Sequence, residues 1–217
     1  MKFVLLVEGQ TEKDVLPKLF SRWLNPQLGQ SVKIQTIPFR GWPEFEKSFA
    51  RKALDHLNGP RAQDIIAVIG LLDLYLGGNQ QASWSANVSD TEEKVKRGRA
   101  HFNSLAEKEG VPQDRFHMFF AVHELEAWLL SQPDIFPQEI AKALPGRVPE
   151  EVNSDEPPSK LLTRLYREKS GSKKKYNKIT DGSNLFAKLD PDQARKKCPH
   201  LKEMLDTLLD LARREAA

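Results

Sequence analysis

The chain has 217 residues, 39% hydrophobic and 29% charged, with a net charge of +3; this describes a soluble globular protein long enough for one full core, or a core with an appended subdomain. No apolar run approaches the ~20 residues of a membrane span, and the first apolar run is too short and too soon interrupted by Glu8 for a signal peptide, so a cytoplasmic location with no membrane partner is expected. The lone Cys198 excludes an internal disulfide and any cysteine-rich zinc site.

The first element is an apolar strand. Phe3 to Val7 is continuously apolar, as in a strand covered on both faces, and it stops at Glu8-Gly9 before a helix pattern opens at Thr11. Glu8 therefore stands at the carboxyl end of a strand, where open α/β sheets place their ligands. Val15, Leu16, Leu19, Phe20, Trp23 and Leu24 form one helical face, and Asn25-Pro26 predicts its end. Val32 to Phe39 alternates and is rich in β-branched residues, which predicts a second strand, followed by a helix over Gly41 to Leu57. Asp64 to Asp73 reads as a buried strand that again terminates on an acid. Gly77 to Ser89 is a polar loop with an isolated Trp84, of the kind that forms lids or binding loops or stays disordered. Asp90 can cap a helix from Thr91 to about Gly110, with Glu93 in the capping-box position. Phe116 to Val122 is the fourth strand, running directly into His123-Glu124-Leu125-Glu126.

Beyond Ser131 the strand pattern disappears and prolines punctuate helices expected over Asp134 to Leu144, Ser159 to Arg167, Ser183 to Leu189 and His200 to Arg214. The chain thus divides into an α/β domain of residues 1–131 and a helical portion of residues 132–217 packed on it. Pro158 to Lys202 carries 13 Lys/Arg against 4 Asp/Glu, a local +9 that leaves −6 for the rest. A basic segment on an acidic body suits a protein whose acids hold cations while its lysines hold a polyanion, although a solvated lysine-rich surface has the same composition.

Strand–helix alternation implies a mostly parallel sheet flanked by helices, with acids from the first, third and fourth strands converging on one edge. Converging carboxylates repel one another unless a cation sits among them. Hard oxygen ligands there suit Mg²⁺ or Mn²⁺, and hence phosphoryl chemistry. Each acid also has a structural reading. Glu12, Glu124 and Glu126 in first helical turns are favoured by the helix dipole, and Glu124 and Glu126, two apart on a helix, should face different ways. Glu124 is the expected ligand, while Glu126, for which capping has the edge, stays a possible site residue. His123 is either a strand-end ligand or a hydrogen-bonded core histidine. Lys173, Lys174, Lys175 and Lys178 in a basic loop would release counterions from a nucleic-acid backbone, giving salt-sensitive, sequence-independent binding. Cys198-Pro199-His200 is expected to join two helices, because a lone Cys/His pair leaves a zinc shell unfilled.

The segment Val7-Glu8-Gly9-Gln10-Thr11-Glu12 resembles the first motif of Toprim domains, the fold of topoisomerases and primases shared with the overcoming-lysogenization-defect nucleases. Leu72-Asp73-Leu74-Tyr75 sits where their Asp-x-Asp motif belongs. Together with His123-Glu-Leu-Glu-Ala-Trp128, Pro158-Ser-Lys160, Tyr176-Asn-Lys178, Gly182 and Cys198-Pro-His200, the order resembles an uncharacterised bacterial Toprim-like family across nearly the whole chain. That resemblance implies a Toprim-like fold and a Mg²⁺- or Mn²⁺-dependent nuclease acting on DNA or RNA. It further implies an anti-phage setting with an AAA-type ATPase partner. It casts Glu8 as metal ligand or general base and Asp73, Glu12 and Glu124 as metal ligands. Lys160 resembles the lysine aimed at the scissile phosphate. Tyr75 replaces the second aspartate, which leaves room for a non-catalytic nucleic-acid- or partner-binding module with a degenerate metal site. A small-phosphoester hydrolase would use the same sheet and acids. Tyr75 is not expected to be a topoisomerase nucleophile, since the domain that carries one in those enzymes is missing.

Overall fold

The protein is seen here in a computed structural model that describes residues 1–74, 82–146, 148–151, 156–169 and 175–216. Tyr75, Lys173 and Lys174 lie outside the described residues, as does the first part of the Gly77–Ser89 loop.

Four strands, β1 (Lys2–Val7), β2 (Lys33–Pro38), β3 (Ile65–Asp73) and β4 (Phe116–Ala121), form one parallel sheet in the order β2-β1-β3-β4. The intervening helices are α1 (Gln10–Leu28), α2 (Trp42–Leu57) and α3 (Thr91–Lys108). From β1 the chain steps outward to β2, then crosses back over β1 to β3. Right-handed crossovers in opposite directions place α1 on one face of the sheet and α2 and α3 on the other.

Side-chain alternation sorts the strands accordingly. Phe3, Leu5, Val7, Ile69 and Leu71 pack in one core with α1, whereas Val4, Leu6, Val68 and Leu72 pack in another with Phe45, Phe49 and Phe102 of α2 and α3. Both faces of the central strands are covered, which is why β1 and β3 read as largely apolar runs, whereas the edge strand β2 alternates. The second core is aromatic: the Phe45 and Phe49 rings stack at 5.3 Å, and Phe102 meets both edge-on. Trp84, isolated in its loop by sequence, is buried there with its ring 5.3 Å from that of Phe120.

The remaining helices are α4 (Glu126–Leu129), α5 (Gln138–Ala141), α6 (Pro158–Lys169), α7 (Ser183–Lys188), α8 (Pro191–Lys197) and α9 (Pro199–Ala216). Leu162, Phe186, Leu201, Met204 and Leu205 from this portion share the α1-side core with the sheet. Arg22 of α1 is tied to it by hydrogen bonds to the carbonyls of Phe186 (2.8 Å), Ala187 and Leu189 (3.0 Å), which lie in the end of α7 and the turn after it. Among the described residues no helix is long and apolar enough to cross a membrane.

Three local expectations are corrected. Helix α1 runs through Pro26 to Leu28 and ends where Gly29 takes a left-handed φ of 63°. Asn25 does not stop the helix; its side chain accepts from the Val32 N–H at 3.0 Å and fixes the entry to β2. The expected helix over Asp134 to Leu144 is broken at Phe136-Pro137 into a short 3₁₀ turn and α5, since a residue before proline avoids the helical region. Helix α8 was not anticipated, although Asp190-Pro191 is a sound start signal: Asp190 accepts from the Asp192 N–H at 2.9 Å and Pro191 occupies the first position.

Candidate active site

The sheet order reverses direction between β1 and β3, and crevices at such a switch point, outside the carboxyl ends of the strands, are where doubly wound sheets bind ligands. Glu8 and Asp73 emerge there together. Val7 pairs with Leu71, so Glu8 leaves β1 beside the last residues of β3, and Asp73 itself pairs with Ala121 of β4. Glu8 turns sharply, its carbonyl accepting from the Gly41 N–H at 3.1 Å. Gly9 has an extended φ of −151°, so a left-handed backbone is not the reason for glycine here. A β-carbon on Gly9 would lie 3.1 Å from Glu12 Oε2, so the Glu12 carboxylate, from the first turn of α1, folds back close over this turn.

The third contribution comes after β4. The Glu124 N–H donates to the Val122 carbonyl at 3.1 Å across His123, whose φ of 65° is the left-handed value of a strained γ-turn. Helix α4 starts only at Glu126. Glu124 and Glu126 are therefore not on one helix, and the expectation that they diverge is wrong: the Lys178 ammonium lies 3.5 Å from Glu124 Oε1 and 3.3 Å from Glu126 Oε2. The other Glu124 oxygen accepts from the Ser159 N–H at 2.8 Å, in the first turn of α6. That helix begins at Pro158, so Ser159 in its first turn contributes its amide to Glu124. Asp73 Oδ1 accepts from the Leu125 N–H at 3.2 Å, which ties β3 to the same turn.

Glu8, Glu12, Asp73, Glu124 and Glu126 thus crowd one edge of the sheet. Burial chiefly, and then Glu12, push the pKa of Glu8 up to about 7, with the nearby Asp73 N–H, Lys178 and the Trp42 N–H offsetting part of the rise. Burial, Glu12, Glu8 and Glu126 hold Asp73 well above the usual carboxylate range against the pull of Lys178. Glu12 and Glu126 are raised by burial and by Glu124, with Lys178 opposing. Partial desolvation works against the charge on Lys178, but Glu126, Glu124 and Asp73 outweigh it and hold the ammonium above its ordinary range. His123 is lowered by burial, with Glu124 opposing.

The donor set fits a hard divalent cation: the ligating atoms available are carboxylate oxygens, and Glu8 Oε2 is buried with no hydrogen-bond partner among the described residues. Glu8 and Asp73, with Glu12 and Glu124, are the side chains that could hold one. Among the described residues, however, no three His, Cys, Asp or Glu side chains stand in a ligating arrangement, and the positive charge seen within the cluster is that of Lys178.

The predicted lysines separate. Lys160 lies exposed in the first turn of α6, and Lys175 is exposed ahead of the next helical turn. Lys178, read from sequence as one of a run of backbone-binding lysines, is among the described lysines the one that meets the carboxylates. It opens a wide π-helical turn, Lys178–Gly182, capped by Asn177, whose Oδ1 accepts from the Ile179 and Thr180 N–H groups at 2.9 and 3.0 Å. Tyr176 packs its ring 5.6 Å from that of Tyr166, and its hydroxyl lies where a β-carbon on Gly182 would come within 2.9 Å. The Tyr176-Asn-Lys178 and Gly182 motifs therefore form one device that sets the direction of Lys178. In the sequence the Tyr176-Asn-Lys178 motif marks the position of this lysine but not its role. Cys198 lies between α8 and α9, as expected.

The family model described as Domain of unknown function (DUF4276) matches residues 7–209. No curated protein matches the chain. Among solved structures, the C-terminal region of the Burkholderia pseudomallei OLD protein is similar at 18% identity and a TM-score of 0.47, covering 96% of this chain and 97% of that one. The C-terminal region of the Xanthomonas campestris pv. campestris OLD protein is similar at 21% identity and a TM-score of 0.35, covering 94% of each chain.

Proposed function

The chain belongs to the DUF4276 family, and we propose that it is a metal-assisted phosphodiester hydrolase acting on DNA or RNA. The observation that carries this reading is the convergence of acids from three strand ends at the switch point, with one buried glutamate oxygen unpartnered. Glu8, with a pKa pushed up to about 7, suits a general base that takes a proton from the attacking water near neutral pH. Asp73, Glu12 and Glu124 are the proposed cation ligands. A bound Mg²⁺ or Mn²⁺ would supply Lewis-acid polarisation of a phosphoryl oxygen. Lys178 stands at the rim, its side chain 43% exposed, where an ammonium can steady a phosphate. Lys160 and Lys175, exposed on the same portion, with Lys173 and Lys174, supply charge along a polyanion. The motif resemblance described above supports an anti-phage role with an ATPase partner.

A second reading, a nucleic-acid- or partner-binding module without catalysis, is favoured by the ion pairs of Lys178 to Glu124 and Glu126, which occupy two of the acids. Purified protein incubated with plasmid, linear single strands, RNA and a small phosphodiester, with Mg²⁺, Mn²⁺ or chelator, separates the two. Metal-dependent cleavage lost in Glu8→Gln is expected. Binding without cleavage under every condition would support the module instead.

A further inference from the structure

We propose that Lys178 is the resident counter-ion of the carboxylate cluster, and that a divalent cation enters by displacing it. The inference rests on the cation-binding reading above. Two features show that Lys178 is built to occupy the cluster. Asn177 fixes the start of the π-turn from which the lysine projects, its side chain accepting two backbone N–H groups and its own N–H donating to Asp181 Oδ2 at 2.9 Å. The lysine reaches two glutamates that solvent barely touches, their side chains 11% and 4% exposed for Glu124 and Glu126. π-Turns of this kind concentrate at functional sites.

Two further features show that the pairing is made to be given up. Its distances of 3.5 and 3.3 Å exceed the ~2.8 Å of a strong charge-assisted hydrogen bond. The Lys178 side chain is also 43% exposed, so solvent lies beside the pair. A single ammonium leaves the surrounding carboxylates undercompensated, and Glu8 Oε2 receives no hydrogen bond from the described residues. A dication placed among them supplies more charge and hard-ligand bonding, and Lys178 then loses its reason to stay. The displaced ammonium remains tethered at the rim, where a phosphate would arrive. Glu124 keeps its position during the exchange because the Ser159 N–H holds its other oxygen.

The test is calorimetric titration of the full chain with Mn²⁺, without nucleic acid, for wild type and Lys178→Met. Removing a competing ion pair to each of two glutamates is expected to tighten Mn²⁺ binding by about tenfold. Equal affinities would overturn the role of Lys178 and leave the cation site standing. Absence of Mn²⁺ binding in both proteins would overturn the cation site itself, and the inference with it. Should Lys178→Met fold poorly, acetylation of wild-type amines read by mass spectrometry serves instead. Saturating Mg²⁺ is expected to raise labelling of Lys178 several-fold while leaving Lys160 unchanged. Labelling of Lys178 that is unchanged or falls contradicts displacement.

Discussion

Glu8→Gln should stabilise the folded protein at neutral and alkaline pH while removing the proposed base. Glu8 is partly buried among acids, and its pKa rises from the ordinary 4.5 to about 7. A group whose folded pKa is raised binds its proton more tightly in the native state. Stability is therefore fullest below the unfolded pKa, falls as pH climbs from 4.5, and has lost the whole increment once pH passes about 7. The rise corresponds to about 3 kcal/mol, an upper figure because neighbouring acids relax when one is neutralised. In a chain of this length each kcal/mol moves Tm by about 2–4 °C. Thermal melts at pH 5 and pH 8 in chelator are the assay. Glu8→Gln should match wild type within a degree or two at pH 5 and melt several degrees higher at pH 8. A variant that melts lower than wild type at pH 8, or with a shift independent of pH, refutes the claim that Glu8 carries an uncompensated charge.

Other perturbations reach separate parts of the account. Combining Lys173→Glu, Lys174→Glu and Lys175→Glu should weaken duplex DNA binding and reduce the salt slope by about 0.9 for each phosphate that is no longer neutralised; an unchanged slope in filter binding disproves that role. In Gly98→Ala the new methyl would meet Phe120 Cζ at 2.5 Å and Trp84 Cζ3 at 3.1 Å, so a loss of about 1–3 kcal/mol in urea unfolding is expected, and neutrality would mean that Trp84 is not held in the core. Asp90→Ala removes the 2.7 Å bond to the Glu93 N–H and should cost about 1 kcal/mol by the same measurement, with cleavage unaffected.

Much of this architecture was legible because the sheet is buried on both faces. Largely apolar runs at Phe3–Val7 and Ile65–Leu72 mark parallel strands, and the acid that follows each run marks the sheet edge. Glu8 and Asp73 could be paired in advance from that pattern alone. The third strand end was harder. Glu124 and Glu126 follow a turn at His123, whose φ is left-handed; histidine is enriched there among non-glycine residues, but its identity alone does not announce the turn. Lys178 was hidden for another reason. It follows a lysine run in sequence, and what separates it from Lys175 is the Asn177 cap and the packing of Tyr176 on Tyr166, features of the folded turn that a run of lysines does not signal. Helix α8, in contrast, is signalled by Asp190-Pro191, where a proline opens a helix instead of breaking one.

The acids at the β1–β3 switch point are proposed to form a cation site. Anomalous diffraction from crystals soaked in Mn²⁺ addresses it directly. The expected result is a peak bounded by the carboxylates of Glu8 and Asp73, lost in Asp73→Asn crystals. A peak elsewhere with none at this edge, or no peak at saturating Mn²⁺, would contradict it.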